Sequence, residues 1–443
     1  MSIHEEFLTN RKEHITSSFI GWDNREEEIE ISLSKLAIDG GEAVRKTQFP
    51  KRKTYGIEEA QQVIEALNSQ DLFFATAKKV YKFLNEFKEL YGVKHATAST
   101  SGTSAIHVAL GALNLEPGDE VITTPISDMG TVAPILLQNC IPVFADVELD
   151  TCNLDPDDVE RRITDRTRAL IVVHCWGQPA DMDRFLAIAR RHNLKLIEDC
   201  AQAHLAYYKG RLAGTIGDLG AFSLQQSKHM TCGDGGITIT NDDELGRRAD
   251  LFVDKGCDWT EDRRYRLTYS FLAPCYRMTE LQGAVLLAQL GKLKWVVERR
   301  QELGDRLTRL LGDVEGVHPP RRMVDVDHRY WGYPLRIDQG KGLSRDEFVK
   351  AISAEGIPAG SAWPGKPLYL FDMLQKHITY GTSGYPFTAK EGRMIDYYEG
   401  LCPNAERVEK EMCTISINEF YSEQDIDDIS QAVHKVAKLL PRR

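Results

Sequence analysis

The sequence predicts a mostly parallel α/β sheet covered by helices on both faces, followed by a smaller α/β unit. Three observations point there. From Lys94 onward, short apolar runs alternate with helical segments, the pattern of strands buried on both faces. At 443 residues the chain exceeds one ordinary core, so two packed units are expected. A long helical stretch from Thr279 to Leu310, with a possible break, has the length to bridge them. The expected division is an N-terminal extension over 1–38, a large domain over 39–310 and a small C-terminal domain over 311–443.

The elements follow in order. The first 38 residues are charged and weakly periodic, with a short helix expected over Glu26 to Leu36 and packing against the body or a partner. Helical periodicity marks Ile57 to Leu67 and Lys79 to Tyr91. The alternation then reads as strands at Lys94–Ala98, Glu120–Thr124, Pro142–Asp146, Ala169–His174 and Lys195–Glu198. Helices fall between them at Ser104–Leu113, Val132–Gln138, Asp157–Ile163 and Asp183–His192. Apolar runs at Gly220–Leu224 and Ile237–Thr240 flank a glycine-rich turn. The second unit, from about Glu315, carries a strand at Tyr330–Ile337 and a helix at Arg345–Glu355. Ser344 and Glu347 form a capping box for that helix, and Ser422 caps a last one, Glu423–Leu440.

Composition excludes several classes. A hydrophobic fraction of 42% and a charged fraction of 27% describe a globular chain. With a net charge of −11 and no lysine or arginine block, nucleic acid is not an expected partner. No cationic leader precedes an apolar stretch, and no apolar run is long enough to cross a bilayer. Nine scattered cysteines lack zinc spacing, so no metal is expected and buried thiols in a reducing cytoplasm are.

The chemistry-bearing residues gather at the carboxyl ends of the predicted strands, where such sheets collect ligands. Lys228 follows an apolar strand and precedes the turn Gly233-Asp234-Gly235-Gly236. Held out of bulk water, its amine could condense with an aldehyde; the pattern alone also fits a solvated turn lysine. Ser99 to Ser104 lead into a helix, offering free amides and hydroxyls for an anion, to which Ser223 could add another hydroxyl. Asp199 ends the strand of Ile197-Glu198-Asp199-Cys200-Ala201-Gln202-Ala203-His204, where a carboxylate could pair with a pyridinium nitrogen or merely cap a turn. An anion cradle, an acid and a lysine in that order are what pyridoxal phosphate requires of one cleft. Gln202 and His204 would lie near the ring substituents, although His204 also reads as a structural histidine.

These segments, with Tyr276-Arg277-Met278-Thr279-Glu280-Leu281-Gln282, resemble the sugar aminotransferases of the DegT/DnrJ/EryC1/StrS family, of the fold-type-I pyridoxal-phosphate class. The resemblance runs from about Leu36 to Val436. The start Leu36-Ala37-Ile38-Asp39-Gly40-Gly41 is similar to the branch that aminates keto-cyclitols such as scyllo-inosose with glutamine in aminocyclitol antibiotic pathways. The resemblance implies that Lys228 forms the internal aldimine with pyridoxal 5'-phosphate and shuttles the α proton. It implies that Asp199 binds the pyridine nitrogen and that Gln202 lies beside the ring oxygen. Thr103, Ser223 and the backbone around Gly102 and Ser104 would hold the phosphate. A ping-pong transfer from glutamate or glutamine to a ketosugar or keto-cyclitol follows, in a cytoplasmic homodimer with shared sites. The alternatives are a lyase or dehydratase on the same fold, or a non-catalytic regulator that binds the cofactor or a sugar.

Three positions depart from the family pattern. Asp128 stands where an aromatic residue often covers the ring, so either Met129 packs there or the acid contacts substrate, unless Asp128 is simply a turn residue. Cys275 stands where the family has an asparagine reaching the neighbour's phosphate, and a thiol is a poor substitute donor. Asp234 replaces the commoner glutamate, a change expected to be tolerated. Trp363 to Tyr369 and Lys255 to Asp262 are the expected acceptor-recognition segments.

Overall fold

Apolar runs of four to seven residues become the strands of a seven-stranded sheet, because helices on both faces leave them no solvent side. The computed structural model describes residues 35–76, 78–258, 268–361, 363–390 and 392–442. The helix expected over Glu26 to Leu36 lies outside the described residues, apart from Lys35 and Leu36, which precede a 3-10 turn at Ala37–Asp39.

The chain runs α1 (Ile57–Asn68), α2 (Lys79–Tyr91), β1 (His95–Ser99), α3 (Gly102–Leu113), β2 (Glu120–Thr123), α4 (Met129–Leu137) and β3 (Ile141–Phe144). It continues through α5 (Pro156–Arg162), β4 (Thr167–Val173), α6 (Met182–His192) and β5 (Lys195–Asp199). A small hairpin, β6 (Tyr207–Tyr208) and β7 (Arg211–Leu212), precedes β8 (Leu219–Ser223), β9 (Gly236–Thr240) and α7 (Asp243–Phe252). The long α8 (Glu280–Leu310) is unbroken and opens on a capping box between Thr279 and Gln282. After it come β10 (Val317–His318), β11 (Tyr333–Ile337), α9 (Arg345–Ala354), β12 (Ala359–Ser361), α10 (Asp372–Gln375), α11 (Pro403–Glu411), β13 (Met412–Ile415) and α12 (Glu423–Leu439).

The large sheet has the order β1-β9-β8-β5-β4-β2-β3. The pairs β8–β5, β5–β4, β4–β2 and β2–β3 are parallel, and β9 alone runs against its neighbours. This is the expected fold-type-I α/β architecture. Nine consecutive residues of α3, Ser104 to Ala112, are buried. A helix apolar all round must be covered on all sides, and α3 packs against α4, α7, β8 and β9. The second sheet, β10-β11-β13-β12, is antiparallel and has its own core, in which α8, α9 and α12 bury Leu307, Phe348, Ile429 and Val433. Leu36 joins that core, and the buried carboxylate of Glu355 accepts from the amides of Ala37 and Val44.

None of the described helices is long and apolar enough to cross a membrane. All nine cysteines are free thiols.

Candidate active site

The parallel strands end on one edge of the sheet, and a cavity of about 410 Å³ opens there. Asp199 is the last residue of β5, between Val173 of β4 and Ala221 of β8 in register. Its carboxylate is 3% exposed. One oxygen accepts from the Thr131 hydroxyl at 2.9 Å and the other from the Ala201 amide at 3.0 Å. Burial raises its pKa, against the opposing pull of these donors, Lys228 and His174. Ser127 in turn holds Thr131 at 2.7 Å between the two hydroxyls.

The first turn of α3 forms one wall. Ser101 and Ser104 build a reciprocal cap: the Ser104 amide donates to the Ser101 hydroxyl at 3.0 Å, and the Ser101 amide donates to the Ser104 hydroxyl at 2.7 Å. The amides of Gly102 and Thr103, first in the helix, have no intrahelical acceptor and stand at its positive end. Gly102 touches Ser223 so closely that a Cβ there would lie 2.7 Å from that of Ser223. A side chain would therefore push the two phosphate-type hydroxyl and amide groups apart.

Lys228 lies five residues past β8, on a loop. Its ammonium is 3.9 Å from the centre of the Trp331 ring, which also donates its indole N–H to the Ser227 carbonyl at 3.1 Å. Burial draws the Lys228 pKa down to about 8, with Asp199 and Asp128 pulling the other way. The backbone of this loop is fixed from afar. The Arg52 guanidinium donates to the carbonyls of Lys228 at 2.7 Å and His229 at 2.8 Å. The same guanidinium pairs with Glu419 at 2.7 Å, and the other oxygen of Glu419 takes Arg300 at 2.9 Å. Arg300 also donates to the Trp331 carbonyl at 3.2 Å. One buried carboxylate thus anchors both the lysine loop and the indole over it. Burial raises the Glu419 pKa, but Arg300 and Arg52 together hold it below the ordinary glutamate value.

Trp331 reaches the cavity because its segment docks on a turn after β4. Trp176 adopts a left-handed backbone there, with φ +57°, and Gly177 follows with φ +96°. A Cβ on Gly177 would come within 2.9 Å of the Gln202 carbonyl and the Tyr330 amide, so glycine is required. The Trp331 amide donates to the Trp176 carbonyl at 2.9 Å, and the two indoles stack at 5.5 Å.

Gly102, Thr103, Asp128, Asp199, Gln202, Ser223 and Lys228 all line this one cavity. Ser104 and Met129, also expected to touch the cofactor, are not among the lining residues. The Ser104 amide and hydroxyl are consumed by the cap, and Met129 packs into the apolar cluster of Ile126 and Val132. Gln202 uses its side-chain oxygen on the Trp176 amide at 2.6 Å, leaving its N–H₂ for the cavity. His204 is fully buried away from it, edge-on to Phe222, and burial lowers its pKa to about 3. Asp128 caps α4 through the Gly130 amide at 2.7 Å yet remains exposed to the cavity. Cys275 is exposed, 4.0 Å from an Asp254 oxygen. Trp363 and Asp234 line the cavity, whereas of Lys255 to Asp262 only Lys255 to Asp258 are described.

Sequence reasoning missed Trp331, Thr131, Gln225 and the Arg52–Glu419–Arg300 anchor. Thr131, at i+3 from Asp128, was legible as a helix-face neighbour; the anchor, spread over more than 360 residues, carried no local signal. Beneath the site, Glu198 accepts from the amides of Gly214, Ile216 and Gly217 and from His174 Nε2. The His174–Glu198 pair is therefore a hydrogen-bonded strut between the end of β4, β5 and the turn before β8.

The fold and the paired lysine and aspartate at the strand ends define a fold-type-I pyridoxal-phosphate enzyme. The chain belongs to the DegT/DnrJ/EryC1/StrS aminotransferase family, whose sequence profile matches residues 54–434. It is an aminotransferase, with pyridoxal phosphate as its cofactor. It is 37% identical over 412 residues to a Micromonospora echinospora protein assigned as an L-glutamine:3-amino-2,3-dideoxy-scyllo-inosose aminotransferase, spanning 91% of this chain and 97% of that one. It is 36% identical over 289 residues to the GDP-perosamine synthase of Caulobacter vibrioides, spanning 63% and 74%. Among solved structures it matches the aminotransferase from Psychrobacter cryohalolentis with a TM-score of 0.79 at 30% identity, over 88% of this chain and 98% of the other.

Proposed function

We propose that this enzyme moves an amino group from glutamate or glutamine to a ketosugar or keto-cyclitol by a ping-pong route, in amino-sugar or aminocyclitol biosynthesis of the antibiotic type. The observation that carries this reading is the meeting of Lys228, Asp199 and the Gly102–Thr103–Ser223 cradle in one cavity of about 410 Å³. The relative from Micromonospora, similar along nearly its whole length, supports a cyclitol acceptor and glutamine as donor.

The residues fit the cofactor. The free amides of Gly102 and Thr103 with the Thr103 and Ser223 hydroxyls would hold the phosphate at the positive end of α3. Asp199, oriented by Thr131 and Ala201, would keep a proton on the pyridine nitrogen. The Gln202 N–H₂ would donate to the ring oxygen. When bound, the cofactor supplies an electron sink that makes the donor's α proton acidic. Lys228 would take up that proton on its amine and release it again. With its pKa near 8 the amine both takes up and releases a proton close to neutral pH. Trp331 keeps water from that amine on one side.

The nine free cysteines support a reducing, cytoplasmic setting. Tyr269, 60% exposed, and Leu272, 98% exposed, lie in the same stretch of sequence as the exposed Cys275, and burying them against a second copy would favour a homodimer. The test is direct. Wild-type enzyme should show the absorbance of lysine-bound cofactor and, on addition of glutamine or glutamate, lose it with release of the keto acid. Lys228→Ala should show neither. Lysine-bound absorbance that persists after addition of either donor, with no keto acid released, would sink the proposal.

A further inference from the structure

A second cavity of about 410 Å³ lies at the free edge of the large sheet and shares no lining residue with the catalytic one. β1 is the outermost strand there, paired with β9 on one side. On its other side Ser99 bridges Arg277, and among the described residues no strand covers His95 to Ala98. Helices α2 and α7 both pack on β1 and wall the cavity. Tyr81, Leu84, Asn85 and Lys88 line it from α2, because residues three, four and seven apart share one helix face. Arg247, Asp250 and Leu251 line it from α7 by the same spacing.

Most charges on these walls are already matched. Arg247 pairs with Asp258 at 2.5 Å, and His95 with Asp243 at 2.9 Å. Two remain. Lys88, half-buried in the last turn of α2, makes no side-chain hydrogen bond or ion pair among the described residues. Asp250 receives the hydroxyl of the buried Thr97 on one oxygen, and its other oxygen has no partner among the described residues. Burial raises the Asp250 pKa, while Thr97, His95, Lys88 and Arg247 pull it down. Lys88 is thus near enough to act on Asp250 without pairing with it. Phe74, Leu84, Leu251 and Val253 give the same space apolar walls. A ligand with one charge would match one of the two groups and cover the other without a partner, which is costly. A ligand with both charges on a small apolar body matches both, and the volume is that of a small-molecule site. We propose that this cavity is a second binding site, for a zwitterionic α-amino acid with an apolar side chain, its ammonium on Asp250 and its carboxylate on Lys88. The side chain lies against Phe74, Leu84, Leu251 and Val253, and the unpaired edge of β1 forms the floor.

The test titrates holoenzyme calorimetrically at neutral pH with N,N-dimethyl-L-phenylalanine. Its tertiary ammonium keeps the charge but cannot condense with the cofactor's aldehyde. Two analogues each lack one charge: the carboxamide of the same compound has no anion, and N-acetyl-L-phenylalanine has no cation. The wild type should bind the zwitterion about tenfold or more tighter than either analogue, the worth of one charge-assisted hydrogen bond. The absorbance of lysine-bound cofactor should not change. Lys88→Met should erase the preference over the carboxamide. Asp250→Asn, which keeps an oxygen for Thr97, should erase the preference over the N-acetyl compound. Both variants should release keto acid from glutamine at the wild-type rate, since neither residue lines the catalytic cavity. No binding to the wild type, equal binding of all three probes, or preferences that survive both substitutions would overturn the assignment. Binding that shifts the cofactor absorbance would also overturn it, because the ligand would then sit in the catalytic cleft.

Discussion

Replacing Glu419 by glutamine removes one negative charge from beneath the site and changes its shape little. Glu419 is 3% exposed and faces two guanidiniums, Arg52 at 2.7 Å and Arg300 at 2.9 Å, and Arg300 is itself 3% exposed. Taking one partner from a buried ion pair leaves charge uncompensated and costs about 3–5 kcal/mol. Against a typical stability of about 5–15 kcal/mol, the variant should fold but melt earlier. The functional loss follows from what the guanidiniums hold. Arg52 fixes the carbonyls of Lys228 and His229, and Arg300 fixes that of Trp331. A displacement of about 1 Å of a reacting group can cost roughly a hundredfold in rate, so the donor half-reaction should slow by about 10- to 100-fold. Urea titration measures the first effect and stopped-flow absorbance the second, under conditions where the variant is fully folded. The distinguishing readout is the pH at which cofactor attachment is half-maximal. A loosened indole admits water to Lys228 and should move that pH upward. If stability falls by the calculated amount while rate and pH midpoint stay put, the anchor serves the fold alone and the reasoning is refuted. Because its pKa is held below the ordinary value, the stabilisation from Glu419 is present at neutral pH and fades only on acidification through and below the usual glutamate range.

Three further outcomes are expected. Asp199→Asn should keep the cofactor but lose at least a hundredfold in half-reaction rate, since the ring nitrogen no longer stays protonated; unchanged single-turnover rates would remove Asp199 from that role. Attachment of pyridoxal phosphate to the apoenzyme should accelerate as pH rises and level off above about 8, where the Lys228 amine is free base. The same depressed value means that Lys228 binds fewer protons folded than unfolded between about 8 and 10.5, so its contribution to apoenzyme stability rises with pH across that window. Denaturation midpoints of wild type and Lys228→Met over that range check the sign.

Much of this was written locally in the sequence. Strands β2 to β5, β8 and β9 stand out because burial on both faces demands largely apolar runs, and the helix at Lys79–Tyr91 has the bounds that its periodicity predicts. Gly102, Thr103, Asp199, Ser223 and Lys228 were legible because strand ends in such a sheet fall on one edge. Other features were not. Helix α7 is mostly charged outside Leu245, Ala249 and Phe252, so its apolar stripe is thin. Strands β10, β12 and β13 are two to four residues long, too short for a period to show. The strand expected from Tyr330 begins only at Tyr333, because Tyr330 takes a positive φ and Trp331 turns toward Lys228. Ser104 and Met129 illustrate a different limit: sequence puts a residue near a helix start, but which atoms the cap consumes is decided by geometry.

The anchor on Glu419 also has a temporal meaning. Lys228 and its strand neighbours leave the ribosome well before Glu419, which comes 191 positions later. Chains fold broadly from the N-terminus during synthesis, so the large sheet can form while Arg52 and Arg300 still lack the carboxylate that sets them. Until β13 and the loop bearing Glu419 dock, the lysine loop and its indole cover have no common footing. The cleft around Lys228 therefore reaches its final shape only once residues near the end of the described chain are in place.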